Sequence, residues 1–302
     1  MQQVKQEGKC NIYDADIEPI PFPANFRYNG PAMTSYRYPN ETLILVLTLS
    51  LVFAVIAVTA AATFCGSLLF VLVMLVISFF LNRSHHNELI QDAQPVTVQT
   101  SPELAVLTKS CATRLQAGSF SAYIAPGNTL NAYTFGLGEA PVVVVYAGVL
   151  RIMDEDELRF IIGHELGHVC LGHTWLNSLV GGMSGIPSPY FAAVLLYFSF
   201  RWWNRACEYS ADRAGLLACG KPEKAASALV KLAGGASAIH SVEGWQHALR
   251  RIESEDDHLE GNLQELLSSH PMIIRRLHAL SQYAASAEYQ HLQTQVNRAT
   301  SV

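Results

Sequence analysis

Two histidines and a glutamate lie within one five-residue segment of the sequence, as His164, Glu165 and His168. On an α-helix, a separation of four residues turns the side chain by about 400°, so the two imidazoles lie within about 40° of each other. Both can therefore reach one metal ion, while Glu165 lies beside them. Zinc held in this way keeps an open position and lowers the pKa of its water towards neutrality. A neighbouring carboxylate can then act as general base in a hydrolysis.

The residues around this segment predict a helix from about residue 155 to 173. Asp154 followed by Glu157 resembles a capping box at its start. An apolar turn precedes the histidines, and a polar group in such surroundings costs several kcal/mol unless it is satisfied. The two histidines in an apolar stretch therefore favour a metal site.

A catalytic zinc ion needs a third protein ligand, and several nearby residues fail on geometry. His173 falls about 180° from His164 when counted along one continuous helix, so we expect it to be exposed or to face a loop. Cys170 and Cys207 are turned about 200° and about 100° away from the nearest candidate ligands. The chain has six scattered cysteines without a CxxC pair, which favours free thiols.

Glu208 is the better candidate for the third ligand, and Asp212 follows four residues later on the same helical face. One of these carboxylates could bind zinc while the other accepts a hydrogen bond from a ligand histidine. Taken alone, the two acids would also suit a solvated charged face together with Arg205 and Arg213. The histidine pair favours the metal site.

The amino-terminal part of the chain predicts a membrane anchor. Residues 42–81 contain no charged side chain, and only 15% of the whole chain is charged, against roughly 25% in an ordinary soluble domain. One helix of that length would span about 60 Å, twice the hydrocarbon core of a bilayer. We therefore predict a hairpin with spans at 42–63 and 67–82. A buried hairpin in a soluble core is the alternative, but soluble helices rarely lack a polar face.

The flanks of this hairpin carry the nearby basic residues, Arg27, Arg37 and Arg83. The positive-inside tendency therefore predicts that the catalytic part faces the cytoplasm, with the anchor in the cell inner membrane. The net charge of −5 and the lack of a basic stripe exclude nucleic acid as a favoured partner.

Composition divides the chain into five parts. They are a polar arm rich in proline and aromatic residues (1–40), the transmembrane helical hairpin (41–82), a linker (83–102), the metal-binding domain (103–285) and a tail (286–302). Within the domain, the patterns predict a helix at 101–116 and strands at 121–126, 130–135 and 141–146. Residues 175–200 contain no acid, lysine or arginine but are interrupted by glycine and proline. We favour membrane contact over burial in the domain.

These residues resemble the motifs of the HtpX-like membrane zinc metallopeptidases, which are relatives of the prenyl-protein endopeptidases. The resemblance covers about residues 100–285 and rests on Asn131-Ala132-Tyr133, the stretch from Val143 to Glu157, His164-Glu165-x-x-His168, Glu208-x-x-Ala211-Asp212, and Ser269-His270-Pro271 with Arg276 and Leu277. It implies an α+β fold: a mostly helical, zincin-like metallopeptidase domain with a small β-sheet, preceded by the transmembrane hairpin. HtpX has further clear spans after its histidine pair, whereas this chain offers only residues 175–200.

The resemblance also implies the roles of the site residues. One catalytic Zn²⁺ ion would bind His164, His168 and Glu208, with Glu165 as general base and Asp212 holding a ligand histidine. His270 and Arg276 resemble a late motif that helps to hold substrate or to stabilise an oxyanion, although packing or helix capping suits His270 equally well. An extended peptide would add to a strand edge, either at 142–146, which contains Val144, or at Asn131, Ala132 and Tyr133.

We therefore expect a membrane-anchored zinc metalloendopeptidase that hydrolyses peptide bonds. Its partners would be the lipid bilayer and protein or peptide substrates, membrane proteins among them, in the quality control of membrane or unfolded proteins. The oligomeric state stays open. The rival interpretation is a non-catalytic zinc-containing scaffold or adaptor, but structural zinc is usually closed by four protein ligands, whereas three are identified here. A zinc hydrolase of non-peptide bonds would keep the same site.

Overall fold

The computed structural model of the protein describes residues 36–63, 65–136, 140–181, 191–234 and 273–300. The helices are α1 (Glu41–Ala62), α2 (Gly66–Gln91), α3 (Pro102–Leu115), α4 (Ala147–Ile152), α5 (Glu155–Cys170), α6 (His173–Gly181), α7 (Phe191–Cys219), α8 (Pro222–Gly234), α9 (Ile273–Ala284) and α10 (Ala287–Thr300). The strands are β1 (Gln94–Pro95), β2 (Ser121–Ala125), β3 (Ala132–Phe135) and β4 (Val142–Tyr146). This mostly helical architecture with a small mixed sheet confirms the predicted α+β class.

The first two helices form the apolar hairpin. By length and composition both α1 and α2 can cross a membrane. Their large apolar side chains are exposed rather than packed inside the protein, as shown by Phe53 at 71% and Val58 at 70% exposure. A hairpin buried in a soluble core would hide these side chains, so their exposure favours lipid as the solvent of this segment.

The second helix is longer than the predicted span. It continues to Gln91, and β1 follows at Gln94–Pro95, where it pairs with β2. Residues 83–102 are therefore not simply a linker. The ring of His86, near the end of α2, stacks on Phe135 of β3 with centroids 3.8 Å apart. The hairpin is thus packed against the sheet by its second helix.

The sheet has the order β1-β2-β4-β3. Strands β2 and β4 are parallel, whereas β1 pairs with β2 and β3 pairs with β4 in antiparallel fashion. The β-branched run of β4 suits its interior position, because Val143, Val144 and Val145 are all buried. Strand β3 lies at one edge of the sheet.

Helix α5 runs through the core of the domain and contacts α3, α7 and α8. The predicted capping box begins it: Asp154 accepts a hydrogen bond from the Glu157 backbone N–H at 3.0 Å, and Glu157 accepts one from the Asp154 N–H at 2.8 Å. The helix ends at Cys170, three residues before the predicted end at 173. Gly172 then adopts φ +76°, a left-handed conformation that suits glycine, and α6 begins at His173 as a separate helix.

Candidate metal centre

Small residues set the distance between α5 and α7. A Cβ added at Gly167 would lie 2.6 Å from the Ala214 Cβ, and one added at Gly163 would lie 2.4 Å from the Ala218 Cβ. Any side chain at these two positions would push α7 away. The glycines therefore let α7 approach closely enough for Glu208 to reach the histidine pair on α5.

The three residues predicted as metal ligands lie together. The Nε2 atom of His164 is 3.6 Å from Glu208 Oε2, and the Nε2 atom of His168 is 3.5 Å from Glu208 Oε1. The ligand atoms all lie within 4.8 Å of one another. Tetrahedral ligands placed about 2.0–2.1 Å from zinc would be separated by about 3.3–3.4 Å, so the donor set suits this ion. Among the described residues, no fourth acid, histidine or cysteine joins this group.

The carboxylate of Glu208, the predicted third ligand, is held in its charged form. Burial would raise the pKa of Glu208, but Arg276 and the two histidines together lower it well below its ordinary value. The Arg276 Nη1 atom lies 3.1 Å from Glu208 Oε2. Glu208 is therefore an anionic donor in a buried site, the form that a metal ligand requires.

Asp212 lies behind His164, as the resemblance implied. Its Oδ1 atom is 3.0 Å from His164 Nδ1, and Arg276 donates two hydrogen bonds to its carboxylate, at 2.6 and 2.8 Å. Burial raises the pKa of Asp212, but the Arg276 guanidinium outweighs that effect and lowers it. Because the carboxylate occupies Nδ1 of His164, the Nε2 atom is the one that faces the metal site.

Arg276 lies among these carboxylates rather than towards open space. Its guanidinium is buried and contacts both Asp212 and Glu208. Arg276 therefore contacts two of the residues predicted to form the metal site, and the substrate or oxyanion role that the resemblance implied for it stays a prediction. The other member of that motif, His270, lies outside the described residues.

Glu165 is buried beside the two histidines predicted to bind the metal. Burial raises its pKa above the ordinary value, and the neighbouring histidines only partly offset this. A carboxylate with a raised pKa next to a metal site is typical of a general base, because it holds an abstracted proton more readily.

The surroundings of His173 differ from those predicted from the sequence. The prediction that it is exposed or faces a loop is wrong, because His173 is buried and its Nδ1 atom lies 3.1 Å from His168 Nδ1. The angle of about 180° was counted along a helix that in fact ends at Cys170. The glycine at position 172, which adopts a left-handed conformation, was the signal in the sequence for the end of α5.

A further residue that sequence reasoning missed is Glu41, the first residue of α1. It is buried and its Oε1 atom lies 3.1 Å from His173 Nε2. No local pattern indicates this contact, because the two residues are 132 positions apart in the chain. Cys170, which was excluded as a ligand, donates instead to the Leu115 carbonyl at 3.8 Å.

The predicted peptide edge has two possible strands, and the sheet order distinguishes them. Strand β4 is paired with β2 on one side and with β3 on the other, so it has no free edge, and Val144 is fully buried within it. Strand β3 contains Ala132 and Tyr133 and directly follows Asn131, whose carbonyl accepts from the Tyr146 N–H. Of the two alternatives, only β3 lies at an edge within the described part of the sheet.

The segment 175–200 belongs partly to regular helices. Its first residues lie in α6 and its last in α7, while residues 182–190 lie outside the described residues. The Ser178 hydroxyl accepts a hydrogen bond from the Gly136 N–H at 3.2 Å, which ties α6 to the end of β3. The membrane contact that we favoured for this segment stays a prediction.

Comparison with known proteins agrees with this geometry. A model of peptidase family M48 matches residues 98–284, which is more than half of the chain. The chain belongs to peptidase family M48. That membership, together with relatives that are themselves named proteases, confirms the predicted HtpX-like metalloprotease.

Similar curated proteins include one from a plant and several from bacteria. The chloroplastic plastoglobule-localized metallopeptidase 48 of Arabidopsis thaliana is 30% identical over 60% of this chain, which spans 56% of the plant protein. The protease HtpX homolog of Moorella thermoacetica is 27% identical over 78% of this chain and 90% of its own length. The HtpX homolog of Burkholderia mallei is 27% identical over 66% of this chain and 80% of its length. Among solved structures, Ste24p of S. mikatae has a TM-score of 0.42 and 15% identity, covering 79% of this chain and 63% of that protein.

Proposed function

We propose that this M48 protein is a membrane-anchored endopeptidase whose His164, His168 and Glu208 hold one catalytic Zn²⁺ ion. The observation that carries the proposal is the meeting of two imidazole nitrogens and one carboxylate around a single point, with ligand atoms within 4.8 Å of one another. Three protein ligands are typical of catalytic zinc sites, which keep a position open for water or substrate.

The side chains of the site divide the chemistry among them. Zinc, when bound, supplies a Lewis acid and a water of lowered pKa. Glu165 accepts a proton during attack on the peptide carbonyl and delivers it to the leaving amine. Asp212 and Arg276 keep His164 in the tautomer that presents Nε2 to the ion, since Asp212 occupies Nδ1 at 3.0 Å.

An extended peptide would bind along β3. A strand at a sheet edge offers backbone N–H and C=O groups to an added strand, which gives affinity for many sequences. Asn131, Ala132 and Tyr133 line this edge, and β3 also contacts α5, the helix of the histidine pair. Substrate would therefore lie across the metal centre with its scissile bond near Glu165.

The anchor indicates the kind of substrate. Helix α1, one of the two candidate membrane helices, begins at Glu41, and that residue already contacts His173 beside the ligand histidine. The metal centre thus lies close to the end of a membrane helix. We infer substrates that are membrane proteins or unfolded segments near the bilayer, in a quality-control role, with the site on the cytoplasmic side of the inner membrane where the flanking arginines Arg37 and Arg83 would lie.

The proposal is tested with the full-length protein in detergent micelles. Zinc content and cleavage of labelled casein are measured for wild type, Glu165→Gln and Glu208→Ala. We expect Glu165→Gln to keep zinc and to lose at least about 100-fold in activity, and Glu208→Ala to lose zinc and activity together. Glu157→Gln is the matched control. Glu157 is also a buried glutamate of α5, but it lies at the opposite end of that helix from the histidine pair and forms an ion pair with Lys231.

Other results would give other functions. If Glu208→Ala retains its full zinc content, Glu208 is not the third ligand. Zinc binding without any cleavage, together with a cellular role that Glu165→Gln leaves intact, would favour the non-catalytic scaffold. Chelator-sensitive hydrolysis of esters but not of casein would indicate a zinc hydrolase of non-peptide bonds.

A further inference from the structure

The second ligand histidine is bonded through its other ring nitrogen to a further histidine. His168 Nδ1 lies 3.1 Å from His173 Nδ1, and His173 Nε2 lies 3.1 Å from Glu41 Oε1. All three side chains are buried. A continuous series of contacts therefore runs from the metal centre to the first residue of α1.

The positions of the protons in this series of hydrogen bonds follow from the role of His168 as a metal ligand. With its Nε2 atom facing the ion, His168 carries its proton on Nδ1 and donates it to Nδ1 of His173. His173 then carries its own proton on Nε2 and donates it to Glu41.

The carboxylate at the end of the series is itself held in place. Arg37 forms an ion pair with Glu41, and the Ser210 hydroxyl donates to its other oxygen. Arg37 also donates to the Leu171 carbonyl at 3.0 Å, and the Ser210 hydroxyl accepts from the Tyr38 N–H at 2.8 Å. Glu41 is therefore fixed by groups from the segment before α1, from the end of α5 and from α7.

We propose that His173 and Glu41 are positioning residues that orient His168 for metal binding, so that α1 is a structural part of the metal centre and not only its tether. The proposal rests on the zinc site proposed above. It gives each of the two ligand histidines a hydrogen-bond partner at Nδ1, because Asp212 occupies that nitrogen of His164. Such partners fix the tautomer and the ring orientation of a ligand, and their loss typically weakens metal binding about 10- to 100-fold.

A second metal ion is the alternative use of this cluster, because Glu41, His173 and Cys207 offer ligand atoms within 4.8 Å of one another. Their existing contacts argue against it. Both nitrogens of His173 and both oxygens of Glu41 already have partners. We expect one ion per chain.

The experiment measures zinc affinity of the detergent-solubilised full-length protein by competition with a chromogenic chelator. We expect His173→Ala and Glu41→Ala each to weaken zinc binding about 10- to 100-fold. The double variant should bind zinc at most about 2-fold more weakly than His173→Ala does, because Glu41 acts through His173. Glu41→Gln, which still accepts the hydrogen bond, should recover part of the loss and covers the case in which the alanine variant folds poorly.

Three controls separate positioning from general destabilisation. Glu157→Gln breaks a buried ion pair at the other end of α5 and should lower the unfolding temperature while leaving zinc affinity within about 2-fold. Cobalt-substituted His173→Ala should show an altered visible spectrum, whereas cobalt-substituted Glu157→Gln should keep that of wild type. Cys207→Ser should bind the same single ion as wild type.

The results that would overturn the inference are distinct from those that would overturn the zinc site. Unchanged zinc affinity in His173→Ala, with zinc lost in Glu208→Ala, would reject the positioning role and keep the proposed function. Zinc unaffected by Glu208→Ala as well would reject both. Two ions in wild type and one in Cys207→Ser would replace the positioning role with a second metal site.

Discussion

Gly167 lies so close to Ala214 that a methyl group added to the glycine would stand 2.6 Å from the Ala214 Cβ. At this point α5, which carries the histidine pair, packs against α7, which carries Glu208. No room is left for a side chain at position 167. Gly167→Ala should therefore move α7 outward, weaken zinc binding and cost about 1–3 kcal/mol of stability. Zinc content and thermal unfolding measure the two effects.

The control for this substitution is Gly118→Ala. An added Cβ at Gly118 has no heavy atom within 4 Å, so this alanine should change stability by less than about 0.5 kcal/mol. Equal behaviour of Gly167→Ala and Gly118→Ala would contradict the claim that the glycine sets the helix separation.

Arg276 joins the two buried carboxylates of the site, and its loss would leave both without their cation. Arg276→Met should destabilise the metal-free protein by about 3–5 kcal/mol, because it breaks a buried ion pair. Arg276→Lys keeps the charge but cannot form the two parallel hydrogen bonds to Asp212, so it should restore only part of the loss. Thermal unfolding in the presence of a chelator measures the change.

Arg298→Met is the matched control, since Arg298 is exposed in the last turn of α10 and should tolerate the change within about 0.5 kcal/mol. The kinetics of Arg276→Lys test its other predicted role. A large fall in kcat with unchanged zinc affinity and stability would argue for contact with substrate or oxyanion instead of positioning.

The capping box at Asp154 should contribute to stability in a pH-dependent way. Asp154→Ala removes the cap and should cost about 1 kcal/mol, whereas Asp154→Asn keeps the cap and loses only the partly exposed ion pair with Lys224. Burial raises the pKa of Asp154, but the Lys224 ammonium and the Glu157 N–H outweigh that effect and lower it.

A lowered pKa means that this contribution is present above the ordinary pKa of aspartate and is lost as the pH falls through the folded-state value. The stability difference between wild type and Asp154→Asn should therefore shrink below about pH 4. A difference that instead grows as the pH falls would show that the carboxylate is not stabilised in its charged form. Unfolding curves of both proteins across this pH range decide the matter.

The exposed apolar surface of the hairpin should face lipid. Phe53 is 71% exposed midway along α1, and Phe53→Lys would place a charge there at a cost of about 2.5–3.5 kcal/mol in a bilayer. We expect a reduced fraction of the protein in the membrane pellet after an alkaline wash. Val106→Lys is the control, because Val106 is similarly exposed, at 66%, on α3 of the catalytic domain.

Local sequence patterns were enough to predict much of the site and the anchor. Residues four apart on a helix share a face, so His164 and His168 could be assigned to one ion from their spacing alone. The uncharged run of 42–81 likewise predicted two apolar helices, because a charge-free stretch of that length has few other stable forms. The nearness of Glu208 to the histidines was inferred from residue type and family resemblance, since spacing along one helix carries no information about a second helix.

Tertiary structure alone decided the order of the strands and the surroundings of the ligands. The edge position of β3 depends on pairing between strands, which alternation within a strand cannot reveal. His173 was misplaced because a helical angle is meaningful only while the helix continues, and α5 ends before it. Glu41 reaches His173 across 132 residues of chain, a contact created by the packing of α1 on the catalytic domain and by no local pattern.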